Sequence, residues 1–260
     1  MKRTLASLVC LVLLAMPAGM ASATGAEGLY VAPKFVFGFT QMNGMRGSGT
    51  LAEDSLGTLS WSESMGNKND SAWGGALAIG YDFYRQNRIP VRAELEYAIF
   101  SEASGKRSWS GVIEEAGDVD FALRAKQKLQ AQTLFVNAYY DFRNDTPFTP
   151  WVGAGLGMAF ISSKGNLNGW LDDDSNTFSE SLGSKRTTNF AWNIGTGVAY
   201  AVTENVALDL GYRFVGLGKA ETKTRSMEME IGGYDISMSA RAKTKNVYMH
   251  QVMLGLRFTF

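Results

Sequence analysis

The stretch Trp73-Gly-Gly-Ala-Leu-Ala-Ile-Gly-Tyr-Asp-Phe83 alternates between two kinds of side chain. One parity carries rings and large aliphatic groups, interrupted only by Gly75, and the other carries glycine, alanine and Asp82. Successive residues of a β-strand point to opposite faces of the sheet. This period of two therefore predicts a strand with one large apolar face and one small or charged face.

The same alternation recurs along the chain and predicts eight strands. These are the segments Leu29 to Phe39, Trp73 to Phe83, Val91 to Ile99, Thr133 to Phe142, Val152 to Phe160, Phe190 to Tyr200, Val206 to Phe214 and Tyr248 to Phe260. Aromatic residues are concentrated near both ends of these segments. Two aromatic girdles are typical of a sheet that crosses a membrane.

The connections between the strands are alternately long and short. The short ones run from Tyr84 to Pro90, Arg143 to Pro147 and Thr203 to Asn205. The long ones run from Thr40 to Ser71, Ser101 to Gln132, Ser162 to Thr188 and Gly216 to Asn246. This rhythm predicts an all-β fold, an eight-stranded antiparallel up-and-down transmembrane β-barrel with four long extracellular loops and both termini in the periplasm.

A water-soluble sandwich or lipocalin is the alternative for eight alternating strands. In those folds large apolar residues fill the core and charged residues face solvent. Here the charged residues share a parity with glycine and alanine, which suit a narrow lumen, while the rings occupy the other face. No uncharged apolar stretch after the first segment reaches the roughly 18 residues of a membrane helix. The pattern therefore favours the membrane barrel.

The first 23 residues have the order of a secretory signal peptide. Lys2 and Arg3 precede an apolar run from Leu5 to Met16, and Ala21-Ser-Ala23 supplies small residues for cleavage. We expect residues 1–23 to be removed and residues 24–260 to form the barrel. The only cysteine, Cys10, would leave with the signal, and its position does not favour a lipid-modified cysteine. The mature chain would then have no thiol, which excludes disulfides and cysteine-ligated metals.

Several strand motifs resemble those of a known group of small outer-membrane barrels. They are Arg92-Ala-Glu-Leu-Glu-Tyr97, Asn137-Ala-Tyr-Tyr-Asp-Phe142, Thr149-Pro-Trp-Val-Gly-Ala-Gly-Leu-Gly157, Gly197-Val-Ala-Tyr200 and Gly255-Leu-Arg-Phe-Thr-Phe260. The chain resembles the opacity proteins and the transmembrane domain of outer membrane protein A of Gram-negative bacteria. The resemblance covers the strands and none of the loops. It implies adhesion or an envelope-structural role, with a narrow pore for ions or small solutes as the alternative.

The end of the chain carries two further expectations of this resemblance. Phe260, with rings at alternate positions before it, resembles the terminal signal that the barrel-assembly machinery recognises. Outer membrane protein A continues into a domain that binds peptidoglycan, whereas this sequence stops at the last predicted strand. An anchoring role in the cell wall is therefore not expected.

The inward parity of the predicted strands carries a cluster of charges. Its members are Lys34, Asp82, Arg92, Glu94, Glu96, Asp141, Asp209, Arg213 and Arg257. An eight-stranded barrel has an interior only wide enough to be filled by side chains. Nearly balanced charges in so narrow a space should pair and block it, which favours a structural plug over an ion pathway.

No motif in the sequence supports catalysis, a metal, a cofactor or nucleic acid as ligand. Some lipid-modifying barrels carry a histidine and a serine on the outer surface, but the only histidine, His250, is followed two residues later by Val252. Asp172, Asp173 and Asp174 lack the glycine and the spaced ligands of a calcium loop. We therefore expect a non-enzymatic protein without a cofactor.

The four long connections carry whatever is specific to this chain. They hold 16 basic and 17 acidic residues, so their sum does not indicate a strongly basic surface. Trp61, Trp109 and Trp170 are the candidate contacts with a host or neighbouring-cell surface, although packing between loops would also explain them. Residues 227–238 alternate on both sides of a glycine pair, which predicts a hairpin, and residues 124–132 predict an outward extension of the fourth strand. Outer-membrane lipid and lipopolysaccharide are the expected surroundings.

Overall fold

The protein is an all-β ring. The computed structural model describes residues 27–53, 57–113, 119–171, 176–231 and 234–260, so the predicted signal peptide and Asp172 to Asp174 lie outside the described residues. The strands are β1 (Leu29–Glu53), β2 (Gly57–Asp82), β3 (Val91–Phe100), β4 (Ala103–Ile113), β5 (Val119–Asp141), β6 (Phe148–Leu171), β7 (Asn176–Ala201), β8 (Val206–Glu221), β9 (Arg225–Ile231) and β10 (Tyr234–Thr259). A five-residue helix, α1 (Phe83–Asn87), follows β2.

Eight strands close the ring through antiparallel pairing. The order is β1-β2-β3-β5-β6-β7-β8-β10, and β10 pairs with β1 to complete the circuit. The remaining two strands, β4 and β9, continue β3 and β8 after short breaks and pair with β5 and β10. The predicted eight-stranded antiparallel barrel is confirmed. Within the residues that the structure describes, helices with the length and hydropathy of a membrane span are absent.

The outer face of the ring is apolar, as the alternation predicts. Half or more of the side-chain surface stays exposed at Phe35, Leu95, Val136 and Leu156, which all belong to the ring-bearing parity. Aromatic pairs stand at both ends of this belt. Tyr140 and Phe142 touch at one end with ring centroids 5.1 Å apart, and Phe37 and Phe39 at the other, also at 5.1 Å. The belt and its girdles match the surface that a hydrocarbon layer requires.

The strands are much longer than the membrane needs. A membrane-spanning strand takes about 9–11 residues, yet β1, β2, β7 and β10 have 25 or 26 residues each. Most of the four long connections, expected as loops, are therefore strand. The predicted hairpin is confirmed by pairing of Tyr234 with Ile231, and the predicted extension of the fourth strand by β5. We call the part of the strands beyond the upper girdle the extension.

The extension divides into two four-stranded sheets. Pairing of β2 with β3 ends at Gly74 and Phe100, and pairing of β7 with β8 ends at Trp192 and Gly216. Beyond these levels, the described strands group as β2-β1-β10-β9 and as β4-β5-β6-β7. Two seams thus run up the extension, one between β2 and β4 and the other between β7 and β8.

Side chains bridge both seams. Asp70 Oδ2 accepts a hydrogen bond of 2.5 Å from the backbone N–H of Ser104 across the first seam. Across the second seam, Lys185 Nζ lies 2.9 Å from Glu221 Oε2. Polar contacts thus replace the missing ladder of backbone hydrogen bonds.

β-Bulges mark the base of the extension. The register shifts between Met42 and Met45 in β1 and between Thr244 and Val247 in β10. Because a bulge adds one residue to a strand, it exchanges the inward and outward parities. Even-numbered Met42 is buried in the lumen below the shift and odd-numbered Met45 above it. The alternation read along the strand does not predict this exchange.

A second register shift, at Val247 and Tyr248 of β10, places an extra residue in β8, and an asparagine stabilises this bulge. Gly218 has φ of 81°, a left-handed conformation that glycine adopts without a steric penalty. Asn189 Nδ2 donates to the carbonyl groups of Leu217 at 2.9 Å and Lys219 at 2.7 Å. These carbonyls lie at the point where β7 and β8 separate, so Asn189 satisfies acceptors that the ladder no longer pairs.

Candidate functional site

The structure places all nine predicted charged side chains in the barrel interior, at the end that carries the termini. Glu96 is fully buried, and most of the others expose less than a tenth of their surface. Asp209 is the least buried, with 16% of its side chain exposed. They divide into three groups, stacked along the lumen.

The innermost group is built around two glutamates of β3. Lys34 Nζ lies 2.5 Å from Glu94 Oε1 and 2.7 Å from Glu96 Oε2, so one ammonium group bridges both carboxylates. Arg213 Nη2 lies 2.7 Å from Glu96 Oε1, a charge contact whose angle falls outside the hydrogen-bond range, and Arg213 Nε donates to Gln251 Oε1 at 2.5 Å.

Two tyrosines complete the hydrogen bonding of Glu94. Tyr139 Oη donates to Glu94 Oε1 at 3.0 Å and Tyr30 Oη donates to Glu94 Oε2 at 3.2 Å. The Arg92 guanidinium also stacks 4.8 Å from the centre of the Tyr139 ring. Buried charges need both ionic partners and hydrogen bonds. Every charge of this group has an ionic partner, but Glu96 Oε1 and both Nη atoms of Arg213 have no hydrogen-bond partner among the described residues.

The second group closes the terminal end of the lumen. Arg92 binds Asp141 in a bidentate manner, with Nε–Oδ2 and Nη2–Oδ1 distances of 2.9 Å. Arg143 Nη2 then joins Asp141 Oδ2 at 3.1 Å to Asp82 Oδ2 at 2.7 Å. Paired planar groups of this kind are both strong and directional.

Arg143 is not among the predicted lumen residues, because the sequence pattern places it in a turn. It lies two residues after Asp141 and keeps the inward parity of Asn137, Tyr139 and Asp141. Extending that parity past the end of β5 would have found it. With Arg143 the lumen holds five basic and five acidic residues, so its formal charge is zero.

The third pair, Arg257 and Asp209, is looser. Arg257 Nε lies 3.5 Å from Asp209 Oδ2. A cavity of about 20 Å³ lies beside this pair, bordered by Lys34, Arg92, Trp151 and Asp209. That volume has room for about one water molecule. A hydrated ion does not fit.

Apolar side chains fill the lumen above the charges. Met249 and Phe135 follow the charged groups, then Phe100, Ile161 and Leu217, all at most 2% exposed. The gap found in this layer has a volume of about 10 Å³. Along the part of the lumen that the structure describes, a charged layer is followed by an apolar layer, and the cavities at these two levels hold about one water molecule or less.

His250 lies on the outer surface within an aromatic cluster. Its Nδ1 is 2.7 Å from Tyr212 Oη, and its ring centroid is 4.9 Å from that of Phe214. These neighbours hold the imidazole as part of the upper girdle. The search for groups of histidine, cysteine and acidic residues able to hold a metal found none among the described residues.

The three candidate tryptophans lie on strands rather than in loops. Trp61 is on β2 opposite Gly49, Trp109 on β4 opposite Leu123, and Trp170 on β6 opposite Ala122. The reason is that the long connections continue the strands. The backbone therefore places all three residues in the extension.

Phe260 closes the end of the ring. Its backbone N–H donates to the carbonyl of Leu29 at 2.8 Å, and its carbonyl accepts from the N–H of Gly28 at 3.0 Å. The last residue is thus held against the first strand, where β10 and β1 close the barrel.

A closed antiparallel ring with an apolar outer belt, two aromatic girdles and an ion-paired lumen is a transmembrane β-barrel of the outer-membrane class. The chain belongs to the outer membrane protein beta-barrel domain family, whose model matches residues 7–260. Its relatives come from Gram-negative bacteria.

Two relatives and one solved structure show the extent of the similarity. The outer membrane protein PagN of Salmonella typhimurium is 30% identical over 253 residues, covering 97% of this chain and 98% of PagN. A candidate adhesin of Rickettsia bellii is 26% identical over 191 residues, covering 74% of this chain and 76% of that protein. The crystal structure of Neisserial surface protein A is 21% identical with a TM-score of 0.40, covering 91% of this chain and 99% of that chain.

Proposed function

We propose that this protein is an adhesin-type surface protein, whose barrel anchors the extension and whose extension makes the contacts. In this proposal the signal peptide is removed after residue 23, the termini and short turns face the periplasm, and the extension projects from the cell. The barrel-assembly machinery would read the C-terminal strand that ends at Phe260. The relatives named PagN and adhesin support a role at the outer surface.

The length and packing of the strands carry this proposal. About half of each long strand exceeds what the membrane requires, and these halves pair in register as far as Glu53 in β1 and Leu171 in β6. Their interior is packed as well, since Met45, Gln127 and Thr244 are at most 1% exposed. A paired column with a packed base holds its outer surface in one shape, which favours recognition of a partner.

The lumen supports a role as the structural base of this column. Its charges pair with one another and an apolar layer lies above them, which favours a plugged lumen over the narrow-pore alternative. We infer that the ion pairs act as a plug and that the protein is not an enzyme. On the outer surface, His250 is hydrogen-bonded to the Tyr212 hydroxyl and packed against the Phe214 ring, which supports a place in the girdle.

Trimming the extension tests the proposal. The register gives four points at which paired residues can be joined by a two-residue Asn-Gly turn: Arg46 with Ser64, Ser108 with Arg124, Asn168 with Ser179, and Arg225 with Ala240. The trimmed chain keeps the membrane barrel and the lower extension. Both chains would be expressed in a non-adherent Gram-negative host, and cell binding to cultured epithelial cells and to one another would be counted.

We expect the full chain to increase binding and the trimmed chain to return it to the level of the empty host. A heat-dependent shift in electrophoretic mobility verifies that both barrels are folded. Four further chains, each with one hairpin trimmed, serve as matched controls and show which hairpin is needed for cell binding. Equal binding by folded full and trimmed chains would contradict the proposal.

A further inference from the structure

The outer face of the sheet β4-β5-β6-β7 carries a cluster of basic residues, which we call the basic patch. It consists of Lys106, Lys126, Lys128, Lys164 and Arg186. The buried residues Gln127, Leu129 and Ser163 alternate with them along β5 and β6, so the basic side chains point away from the lumen.

The register places like charges directly opposite each other. Lys128 pairs with Lys164 across β5 and β6, and Lys126 pairs with Lys106 across β5 and β4. Side chains in such positions have Cβ atoms about 4.5–5.5 Å apart, and like charges there destabilise the sheet. An anionic ligand that bridges them would remove this repulsion.

The protein itself supplies little neutralising charge. Lys128 Nζ lies 3.0 Å from Glu102 Oε2. Among the residues that the structure describes, the other four members of the patch make no ion pair. The nearby lysines lower the pKa of Glu102, first through the hydrogen bond from Lys128 and then through the charges of Lys128, Lys164 and Lys126. Counting Glu102, the patch has a formal charge of +4.

The patch lies just beyond the upper girdle. On β6, Lys164 follows Phe160 by four residues with Ser162 between them on the same face, and on β7 Arg186 precedes Phe190 by four residues. Four residues span about 13 Å of strand, or about 10 Å along the membrane normal at a tilt of about 40°. That is the height of the lipid headgroups.

We propose that the basic patch binds the phosphate groups of a phosphorylated lipid, of the lipid A type, in the outer leaflet. The apolar belt below would hold the acyl chains while Lys128 and Lys164 share one phosphate. Ammonium and guanidinium groups are the usual partners of phosphate oxygens. The inference rests on the outward orientation of the extension given under Proposed function.

Acidic residues of the same connections lie at several levels of the extension. Glu53, Asp120, Glu230 and Asp235 stand at the far ends of their strands, away from the girdle. Asp70 and Glu102 lie at the level of the patch, where Asp70 accepts a hydrogen bond from the backbone of Ser104 and Glu102 pairs with Lys128. A soluble polyanion approaching from outside would meet the acidic ends first, which favours a lipid as the ligand.

A binding experiment on the purified full chain tests the proposal. The protein in detergent micelles would be titrated with lipid A carrying two phosphates, with dephosphorylated lipid A, with inorganic phosphate and with a soluble sulfated oligosaccharide. The test variant is K128Q/K164Q. The matched control is K223Q/K245Q, which removes two exposed lysines from the region of β8 and β10.

We expect K128Q/K164Q to weaken binding of the phosphorylated lipid by about 10- to 30-fold, with a much smaller effect of the control. Dephosphorylated lipid should bind with equal affinity to the parent and to K128Q/K164Q. Since the variant removes like-charge repulsion, we expect it to fold as well as the parent. E102Q should bind the phosphorylated lipid more tightly than the parent, because it removes the competing carboxylate.

Three results would overturn the proposal. If the test and control variants weaken binding of the phosphorylated lipid equally, the lysines act only through general charge attraction. Tighter binding of inorganic phosphate or of the sulfated oligosaccharide than of lipid would assign the patch to a soluble anion. If K128Q/K164Q and E102Q both bind the phosphorylated lipid as the parent does, the patch is not its binding site. The trimmed chain keeps the whole patch. A loss of cell adhesion on trimming and a loss of lipid binding in K128Q/K164Q therefore test the two proposals separately.

Discussion

At the scale of single residues, Glu96 is the centre of the lumen network. Its carboxylate is fully buried and contacts Lys34 on one oxygen and Arg213 on the other. Lys34 also contacts Glu94, whereas Glu96 is the one acidic partner of Arg213 among the described residues. Removing one member of a buried ion pair leaves an uncompensated charge, which destabilises a protein by about 3–5 kcal/mol.

We expect Glu96→Gln to lower the free energy of unfolding by about 3 kcal/mol. Urea titration of the protein in lipid vesicles, followed by tryptophan fluorescence, measures this. Glu102→Gln is the matched control, since it removes the same charge from an exposed pair with Lys128, and we expect an effect of at most about 1 kcal/mol. Equal effects of the two substitutions would contradict the assignment of Glu96 to a buried network.

The strand pattern predicts which face a residue occupies but not which partner it meets. Period-2 alternation is sufficient to put Glu94, Glu96 and Arg213 on the inward face. Their contacts depend on the stagger between strands, which no single strand encodes. Phe100 and Phe135 show the same limit, because large rings on the inward parity form the apolar layer that sequence analysis did not anticipate.

At the scale of elements, the extension depends on its seams. The two sheets share no backbone ladder above Gly74 and Trp192 in the described strands, so side chains must hold them together. Glu221 joins Lys185 across the seam and Lys243 within the sheet, at 2.9 and 3.2 Å. Hydrogen bonds from these two lysines lower the pKa of Glu221 below its ordinary value of 4.5.

We expect acid to loosen this seam. A carboxyl group whose pKa is lowered on folding contributes stability that is present above the unfolded value, here about pH 4.5, and is lost as the pH falls through the lower folded value. Hydrogen exchange of the upper amides of β7 and β8, corrected for intrinsic rates, should therefore increase below pH 4.5. In Glu221→Gln the same amides should exchange faster at neutral pH and show no acid dependence.

The alternation predicts the membrane elements better than the extension. In the belt, each strand has lipid on one side and a narrow lumen on the other, so the two faces differ along most of the strand. Above Phe39 and Trp73 both faces are mixed, and bulges at Met42 and Thr244 exchange the parities. The alternation fades there, and strands are mistaken for loops.

At the scale of the whole molecule, the barrel is closed and the extension is large. The described lumen contains gaps of about 20 and 10 Å³, each comparable to one water molecule or less. We expect the purified protein to show no stable channel openings in planar lipid bilayers. Insertion can be verified independently by protection from protease. Regular openings of porin size would contradict a plugged lumen.

The most direct test of the account is the side of the membrane on which the extension lies. The chain has one cysteine, Cys10, so Cys10→Ser gives a background for single reporters. Ser108→Cys lies on the exposed outer face of β4 in the extension, and Asp145→Cys lies in the short turn between β5 and β6. We expect a membrane-impermeant maleimide to label Ser108→Cys in intact cells and to label Asp145→Cys only after the outer membrane is permeabilised. The reverse pattern would place the extension in the periplasm and contradict its role at the cell surface.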